Sequence, residues 1–211
     1  MSAGMSTART IVLATHNAKK VPEMRAILAE AGLDIEVVGL DAHPGAPDVA
    51  ETESTFTGNA LLKARAVARH TGLPAVADDS GLRVDELNGM PGVLSARWSG
   101  RFGTATGDKD RANLELVLDQ LADTPDERRG AEFVSAAALV LPTGEERVVE
   151  GVMRGALITE PRGDNGFGYD PIFVPEGETR TTAEMSAAEK NAISHRGIAF
   201  RLLAEELRKP G

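Results

Sequence analysis

Two adjacent carboxylates, Asp78 and Asp79, follow the short apolar run Ala75-Val76-Ala77 and precede Ser80 and Gly81. Neighbouring residues of a strand point to opposite faces, so one carboxylate should face a ligand and the other a supporting neighbour. Carboxylate oxygens at a strand end suit Mg²⁺, which completes its shell with water and phosphate oxygens. Ser80 and Gly81 are then expected to make a turn. Asp and Gly favour turns in any case, so a plain turn without a metal site is the alternative interpretation.

The loop Thr15–Lys20 is a second candidate site. It joins an apolar strand to the start of a predicted helix, where unpaired backbone N–H groups and the helix dipole favour an anion. Asn17, Lys19 and Lys20 add hydrogen-bond donors and positive charge. The Walker pattern is absent from this loop, so a solvated turn whose lysines face water is the competing interpretation.

Two further charged segments could take part in chemistry. Residues 51–53, Glu-Thr-Glu, could supply a second metal carboxylate, although a solvated acidic loop is the simpler explanation. Lys190, His195 and Arg196 place three potential cations within seven residues of a late helical segment. These cations could form a recognition corner or simply face solvent.

A glycine-rich segment, residues 163–171, surrounds Phe167 and Tyr169. Glycine beside aromatic residues suggests close backbone approach to a planar ligand, on which either ring could stack. The chain holds only 6 Phe, 1 Tyr and 1 Trp, so two aromatics in one glycine-rich loop favour a functional role.

The composition excludes several classes of protein. The 211 residues contain no Cys, which rules out disulfides, thiolate metal sites and Cys nucleophiles. The net charge of −9 argues against non-specific binding to nucleic acid or anionic lipid. No apolar run approaches the ~20 residues of a membrane helix, and the N-terminus lacks the apolar stretch of a signal peptide. We therefore expect a cytoplasmic protein with a flexible tail over residues 1–8 and a single domain over residues 9–209.

The elements that must position these residues alternate between strands and helices. Apolar runs and period-two alternation predict strands at 10–14, 35–40, 75–77, 82–87, 132–141, 147–158 and 172–174. Helical spacing predicts helices at 21–31, 57–70, 109–122 and 197–207, and the S-x-x-E spacing at Ser186–Glu189 predicts a further helix start. Residues 88–107 and 162–169 read as glycine-rich loops. This pattern indicates an α/β class with a mixed sheet.

Six motifs in this order resemble the inosine triphosphate pyrophosphatase family over about residues 10–208. They are T-x-N-x-x-K (15–20), E-T-x-x-T-F-x-x-N-A-x-x-K-A (51–64), A-D-D-S-G-L (77–82), P-G-x-x-S-A-R-W-S-G (91–100), G-F-G-Y-D-P-x-F (166–173) and E-K-x-x-x-S-H-R-G (189–197). The resemblance implies Mg²⁺-dependent hydrolysis of dITP/ITP and XTP/dXTP to the monophosphate and pyrophosphate. It also implies an elongated, two-lobed fold with a long mixed sheet flanked by helices, an active site in the cleft between lobes, and a homodimer.

The resemblance also assigns roles to residues. Asp79 would ligate Mg²⁺ and accept a proton, Glu51 would be the second metal ligand, and Lys63 and Asp78 would support the catalytic site. The triphosphate would be bound by Thr15, His16, Asn17, Ala18, Lys19 and Lys20. The rest of the nucleotide would be held by Ser80, Phe167, Gly168, Tyr169, Asp170, Lys190, His195 and Arg196.

The chain departs from the family pattern at a few positions. The family commonly has Gly where this chain has Glu53, and an acidic residue where it has Gly58, which leaves open whether Glu51 or Glu53 is the metal ligand. The segment 101–110 looks slightly longer than usual, which we expect to affect only a surface loop.

Two other functions remain possible at this stage. One is a pyrophosphatase of the Maf type acting on pyrimidine or modified nucleotides, although the S-H-R-G motif favours a purine. The other is a nucleotide-binding module without catalysis. The candidate catalytic residues are all present, which argues against such a module: Asp79, Glu51 and Lys63.

Overall fold

Six strands form one mixed sheet in the order β2-β1-β3-β4-β5-β6 in the computed structural model, which describes residues 9–17 and 20–209. The strands are β1 (Arg9–Leu13), β2 (Ile35–Gly39), β3 (Ala75–Val84), β4 (Gly130–Val140), β5 (Glu146–Leu157) and β6 (Phe173–Pro175). Strand β1 runs parallel to β2 and β3, whereas β5 and β6 are antiparallel. Neighbouring strands β4 and β5 are joined by a five-residue connection at 141–145.

Six α-helices accompany the sheet in the described residues. They are α1 (Lys20–Glu30), α2 (Phe56–Thr71), α3 (Gly100–Thr106), α4 (Lys109–Gln120), α5 (Ala187–Ile193) and α6 (His195–Arg208). Short 3₁₀ helices lie at Leu40–Ala42, Asp85–Leu87, Gly92–Arg97, Asp126–Arg128, Asp170–Ile172 and Thr182–Glu184. The predicted mixed α/β class with a helix-flanked sheet is confirmed. No helix among the described residues is long and apolar enough to cross a membrane.

The chain divides into two compact units, and the first unit takes residues up to 79 together with 136–149 and the segment from 199. Its core is apolar and includes residues from β1, α1 and α6, such as Leu13, Met24 and Phe200. The helical spacing of α1 explains this burial, because it places Met24, Ile27 and Leu28 on one face.

The second unit takes residues 80–135 and 150–198. Its core includes Leu82, Val117 and Phe173. Arg129 is buried within this unit and donates hydrogen bonds to the carbonyl oxygens of Leu121 (2.8 Å) and Leu157 (2.9 Å). The carbonyl of Leu121 lies just after α4, so the negative end of the helix dipole stabilises this buried cation.

Strand β3 differs from the prediction. A turn at residues 78–81 is wrong, because β3 continues unbroken from Ala75 to Val84. Gly81 serves close packing instead: a Cβ there would lie 2.4 Å from Oγ of Ser95 and 2.7 Å from the carbonyl oxygen of Gly92. Glycine inside a strand commonly marks such a close approach.

The predicted loop at 88–107 is wrong in part, because it contains a 3₁₀ helix and α3. The predicted tail at 1–8, and the candidate ligands Ala18 and Lys19, lie outside the described residues. A single domain over residues 9–209 stays a prediction.

Candidate active site

The carboxylate of Asp78 is bound by Lys20 in the first unit. Nζ of Lys20 lies 2.8 Å from both Asp78 carboxylate oxygens, and the Asp78 side chain is almost fully buried. Lys20 is the first residue of α1, so this ion pair joins the start of α1 to strand β3. A buried carboxylate requires such a partner, because an uncompensated buried charge costs several kcal/mol.

Lys63 links the acidic loop to the main chain of β3. Its Nζ donates to Oε1 of Glu51 and to the carbonyl oxygen of Asp78, each at 2.7 Å. The charge of Glu53 contributes instead to raising the pKa of Arg65, for which the hydrogen bond from Arg65 to Glu146 is the main cause. Of the two candidate glutamates, Glu51 is therefore the one that Lys63 connects to the main chain of β3 at Asp78.

The carboxylate of Asp79 has a different partner from that of Asp78. Nδ2 of Asn59, a fully buried residue of α2, donates to Oδ2 of Asp79 at 2.9 Å. Oδ1 of Asn59 accepts a hydrogen bond from the backbone N–H of Glu53, also at 2.9 Å. One amide thus contacts both the Asp79 carboxylate and the acidic loop. Among the described residues no group of three or more His, Asp or Glu side chains could hold a metal ion on its own.

The predicted phosphate loop leads directly into α1. The backbone N–H of Asn17 donates to Oγ1 of Thr15 at 3.1 Å, and that of Lys20 donates to the carbonyl oxygen of Asn17 at 3.0 Å. His16 is exposed, and its Nε2 lies 3.9 Å from a carboxylate oxygen of Asp48. Thr15, His16, Asn17 and Lys20 are therefore placed at the start of a helix, where an anion is favoured.

The second unit contains a separate pocket with a volume of about 130 Å³. It brings together residues that are far apart in the sequence. Its lining includes all of the predicted nucleotide-binding residues from Ser80 onward: Ser80, Phe167, Gly168, Tyr169, Asp170, Lys190, His195 and Arg196. The ring of His195 stacks on Phe133, with centroids 5.0 Å apart and planes 14° from parallel.

Asp170 shapes the glycine-rich turn in this pocket. Its buried carboxylate accepts hydrogen bonds from the backbone N–H of Phe167 (2.8 Å), from Oγ1 of Thr182 (2.8 Å) and from Nζ of Lys190. Gly166 has a positive φ of 80°, and a Cβ there would meet the Asp170 carboxylate at 2.1 Å. The turn leaves the Phe167 ring 66% exposed, with the Lys190 ammonium 4.9 Å from its centroid.

The Tyr169 ring is buried within the second unit, whereas the Phe167 ring is exposed. Its hydroxyl donates to the carbonyl oxygen of Ser95 at 2.8 Å. Burial, and to a smaller extent the charge of Asp110, raise the pKa of Tyr169 well above its usual value. Phe167 is therefore the better placed of the two rings to stack on a ligand.

The start of α5, which carries Lys190, is held by the predicted capping box. The carboxylate of Glu189 accepts hydrogen bonds from the hydroxyl and the backbone N–H of Ser186, and Oγ of Ser186 accepts from the Glu189 N–H. These bonds, with a further one from Arg180, lower the pKa of Glu189 to about 2. The cap fixes the helix turn from which Lys190 reaches Asp170.

Comparison with known proteins decides the family. Residues 11–206 match the model of the Ham1 family. This chain belongs to the Ham1 family. It is 63% identical to the dITP/XTP pyrophosphatase of Streptomyces avermitilis, covering 94% of this chain and 97% of the relative. The dITP/XTP pyrophosphatase of Frankia alni is 62% identical over the same shares. The resemblance predicted from the six motifs is thereby confirmed.

Solved structures of Ham1 proteins share this fold. The Coxiella burnetii HAM1 protein superposes with a TM-score of 0.85 at 42% identity, covering 94% of this chain and 98% of that one. The nucleoside-triphosphatase / dITP/XTP pyrophosphatase of Mycobacterium abscessus gives 0.77 at 54% identity, covering 95% and 100%.

Three residues of this Ham1 chain to which the sequence analysis assigned no role contact predicted site residues, although Asn59 is the Asn of the motif at 51–64. Asn59 binds Asp79, Thr182 binds Asp170, and Oδ2 of Asp110 accepts a hydrogen bond from the backbone N–H of Gly168 at 3.1 Å. Asp110 belongs to the segment expected to affect only a surface loop. In the sequence it resembles an ordinary acidic residue in the first turn of a helix, so no local signal reveals its contact.

Proposed function

We propose that this protein hydrolyses non-standard purine nucleoside triphosphates, dITP/ITP and XTP/dXTP, to the monophosphate and pyrophosphate in the cytoplasm, as a homodimer. Close relatives carry the name dITP/XTP pyrophosphatase. The observation that carries the proposal is the partly buried cluster in the first unit, where Lys20, Lys63 and Asn59 bind the residues Asp78, Glu51 and Asp79. Such a cluster of carboxylates and cations can hold a metal, activate a water and stabilise a polyphosphate.

The donor set fits Mg²⁺ as the cofactor. Mg²⁺ takes oxygen ligands, usually one or two carboxylates, with phosphate and water oxygens filling the other positions. Glu51 and Asp79 would be its protein ligands, since Asp78 is bound by Lys20 through both oxygens. When bound, Mg²⁺ neutralises phosphate charge and makes a coordinated water more acidic.

The residues of the chain supply the rest of the chemistry. Asp79 accepts a proton from the water whose oxygen attacks the α-phosphorus, and the bond from that phosphorus to the bridging oxygen breaks. The leaving pyrophosphate takes the electron pair of that bond. Lys20 and the backbone N–H groups at the start of α1 stabilise the charge that develops on it. Lys63 and Asp78 keep Glu51 and Lys20 in place for these roles.

Selection between bases rests on the second unit. Hypoxanthine and xanthine present a carbonyl acceptor at the purine 6-position, whereas adenine presents an amino donor. His195, Arg196 and backbone N–H groups offer donors, so ATP would leave donor facing donor. An unpaired buried polar group costs about 1–3 kcal/mol, which corresponds to discrimination of about 5–150-fold for a single contact.

Pyrophosphate release tests the proposal. The purified protein is incubated with ITP, dITP, XTP, ATP, GTP or CTP, each with Mg²⁺ and with a chelator, and pyrophosphate is measured. We expect Mg²⁺-dependent release from ITP, dITP and XTP with a much higher kcat/KM than from ATP. Equal kcat/KM for ITP and ATP would contradict the proposed recognition, and preference for CTP would indicate a Maf-type activity. Light scattering in solution tests the homodimer.

A further inference from the structure

Asn59 is the buried polar side chain on which two parts of the proposed metal site converge. It lies in the first turns of α2, just after the N-cap Thr55, and is fully buried. Its donor end contacts the carboxylate of Asp79 on β3, and its acceptor end contacts the backbone of Glu53, two residues after Glu51. Both ends of the amide are used, and both bonds measure 2.9 Å.

We infer that Asn59 is a positioning residue that fixes the orientation of the Asp79 carboxylate and ties it to the loop carrying Glu51. The inference rests on the proposed function, in which these two carboxylates would hold the metal. A short, buried side chain with two χ angles has little freedom, so a shift of either partner is transmitted to the other. Partners of this kind that orient metal ligands typically affect metal affinity or activity by about 10–100-fold.

The neighbouring contacts explain why one amide can act on both carboxylates. Lys63, one turn further along α2, holds the Glu51 side chain, whereas Asn59 holds the main chain of the same loop. Asn59 and Lys63 also lie four residues apart on α2, on the same helix face. That face therefore presents Lys63 to the main chain of Asp78 and Asn59 to the side chain of Asp79.

Two substitutions separate positioning from folding. Asn59→Asp keeps the shape and the acceptor for Glu53 but replaces the donor that faces Asp79 with a second carboxylate oxygen. Asn59→Leu keeps a similar volume and removes both hydrogen bonds. Asn88→Asp is the matched control, because it adds the same charge at a left-handed turn position (φ 51°) in the other unit, where Asp is tolerated.

The readouts are ITP kinetics at saturating Mg²⁺ and the binding of Mn²⁺ alone, measured from its paramagnetic resonance signal without nucleotide. We expect kcat to fall about 10–100-fold in both Asn59 variants while the KM for ITP stays close to the parent value. Mn²⁺ should bind more tightly to Asn59→Asp, which adds a negative charge, and more weakly to Asn59→Leu. The control should match the parent in both measurements.

The outcomes are distinct. Parental kcat in Asn59→Asp would overturn the inference and leave the proposed function intact. A lower melting temperature and a lower kcat in both Asn59 variants, with Mn²⁺ binding unchanged, would indicate a purely structural role and would also overturn the inference. If the parent releases no pyrophosphate from ITP, the proposed function fails, and weaker Mn²⁺ binding to Asn59→Leu would still support positioning by Asn59. Should Asn59→Leu fail to fold, the kcat and Mn²⁺ affinity of Asn59→Asp decide the question.

Discussion

The Glu53 side chain occupies the space in the first unit that a side chain at Gly58 would need. A Cβ on Gly58 would lie 2.7 Å from Cβ and 3.0 Å from Cγ of Glu53. Contacts below 3.0 Å between such atoms force a shift, and the first side-chain atom of Glu53 cannot swing away. The resemblance led us to expect departures from the family pattern at these two positions, with Gly in place of Glu53 and an acidic residue in place of Gly58. We therefore predict that the two residues compensate each other, with one acidic side chain in the space in either arrangement.

Gly58→Glu alone should destabilise the protein by about 1–3 kcal/mol, because it overpacks the contact with Glu53. In the Glu53→Gly background the same change should cost far less, giving a coupling free energy of about 0.5–3 kcal/mol. Urea unfolding followed by circular dichroism, on the parent, both single variants and the double variant, measures this coupling. Additive effects of the two substitutions would show that the side chains do not compete.

The sequence predicted the elements whose signals are local. The helical spacing of α1 and the capping box at Ser186 are confirmed because neighbouring residues within one element determine them. The turn predicted at Asp78–Gly81 is wrong because pairing of β3 inside the sheet overrides the turn preference of Asp, Ser and Gly.

Contacts between distant residues were harder to predict. Asn59 lies 20 residues from Asp79, and Asp110 lies 58 residues from Gly168. Neither spacing carries a periodic signal, because the fold, and not the local chain, brings these residues together. The convergence of Ser80, Phe167 and Lys190 in one pocket could be expected only from the resemblance to a family.

Asp79→Asn should lower kcat for ITP hydrolysis by about 10²–10⁴-fold, because an amide cannot accept the proton of the attacking water. The fold should be retained, since the amide of residue 79 can still present an oxygen to Nδ2 of Asn59. Steady-state pyrophosphate release measures kcat, and thermal melting checks the fold. Asp123→Asn, the same change at an exposed position, is the control. Near-parental kcat in Asp79→Asn would remove Asp79 from its proposed role.

Phe167→Ala should raise the KM for ITP about tenfold or more, because stacking of a base on an aromatic ring contributes about 1–3 kcal/mol. Phe102→Ala is a matched control, since Phe102 is an 86% exposed Phe of the same unit that does not line the pocket. The KM of this control should be unchanged. If both variants show the parental KM, the Phe167 ring does not stack on the base.

Tyr169→Phe should change how stability depends on pH at alkaline values. The folded protein raises the pKa of Tyr169, mainly by burial, so the unfolded chain loses this proton first. Above pH ~10 the unfolded state therefore binds fewer protons than the folded state, and the free energy of unfolding falls by up to about 1.4 kcal/mol per pH unit from this residue. Below pH ~10 the hydroxyl is neutral in both states, and this contribution is fully present.

At pH 8 the Phe variant should be less stable than the parent by about 1 kcal/mol, because the hydrogen bond to the Ser95 carbonyl is lost. Between pH 10 and pH ~11 that difference should shrink and then reverse, since Phe has no proton to lose. Urea unfolding at a series of pH values from 8 to ~11 measures the two curves. Parallel curves over this range would show that the Tyr169 hydroxyl ionises equally in the folded and unfolded states.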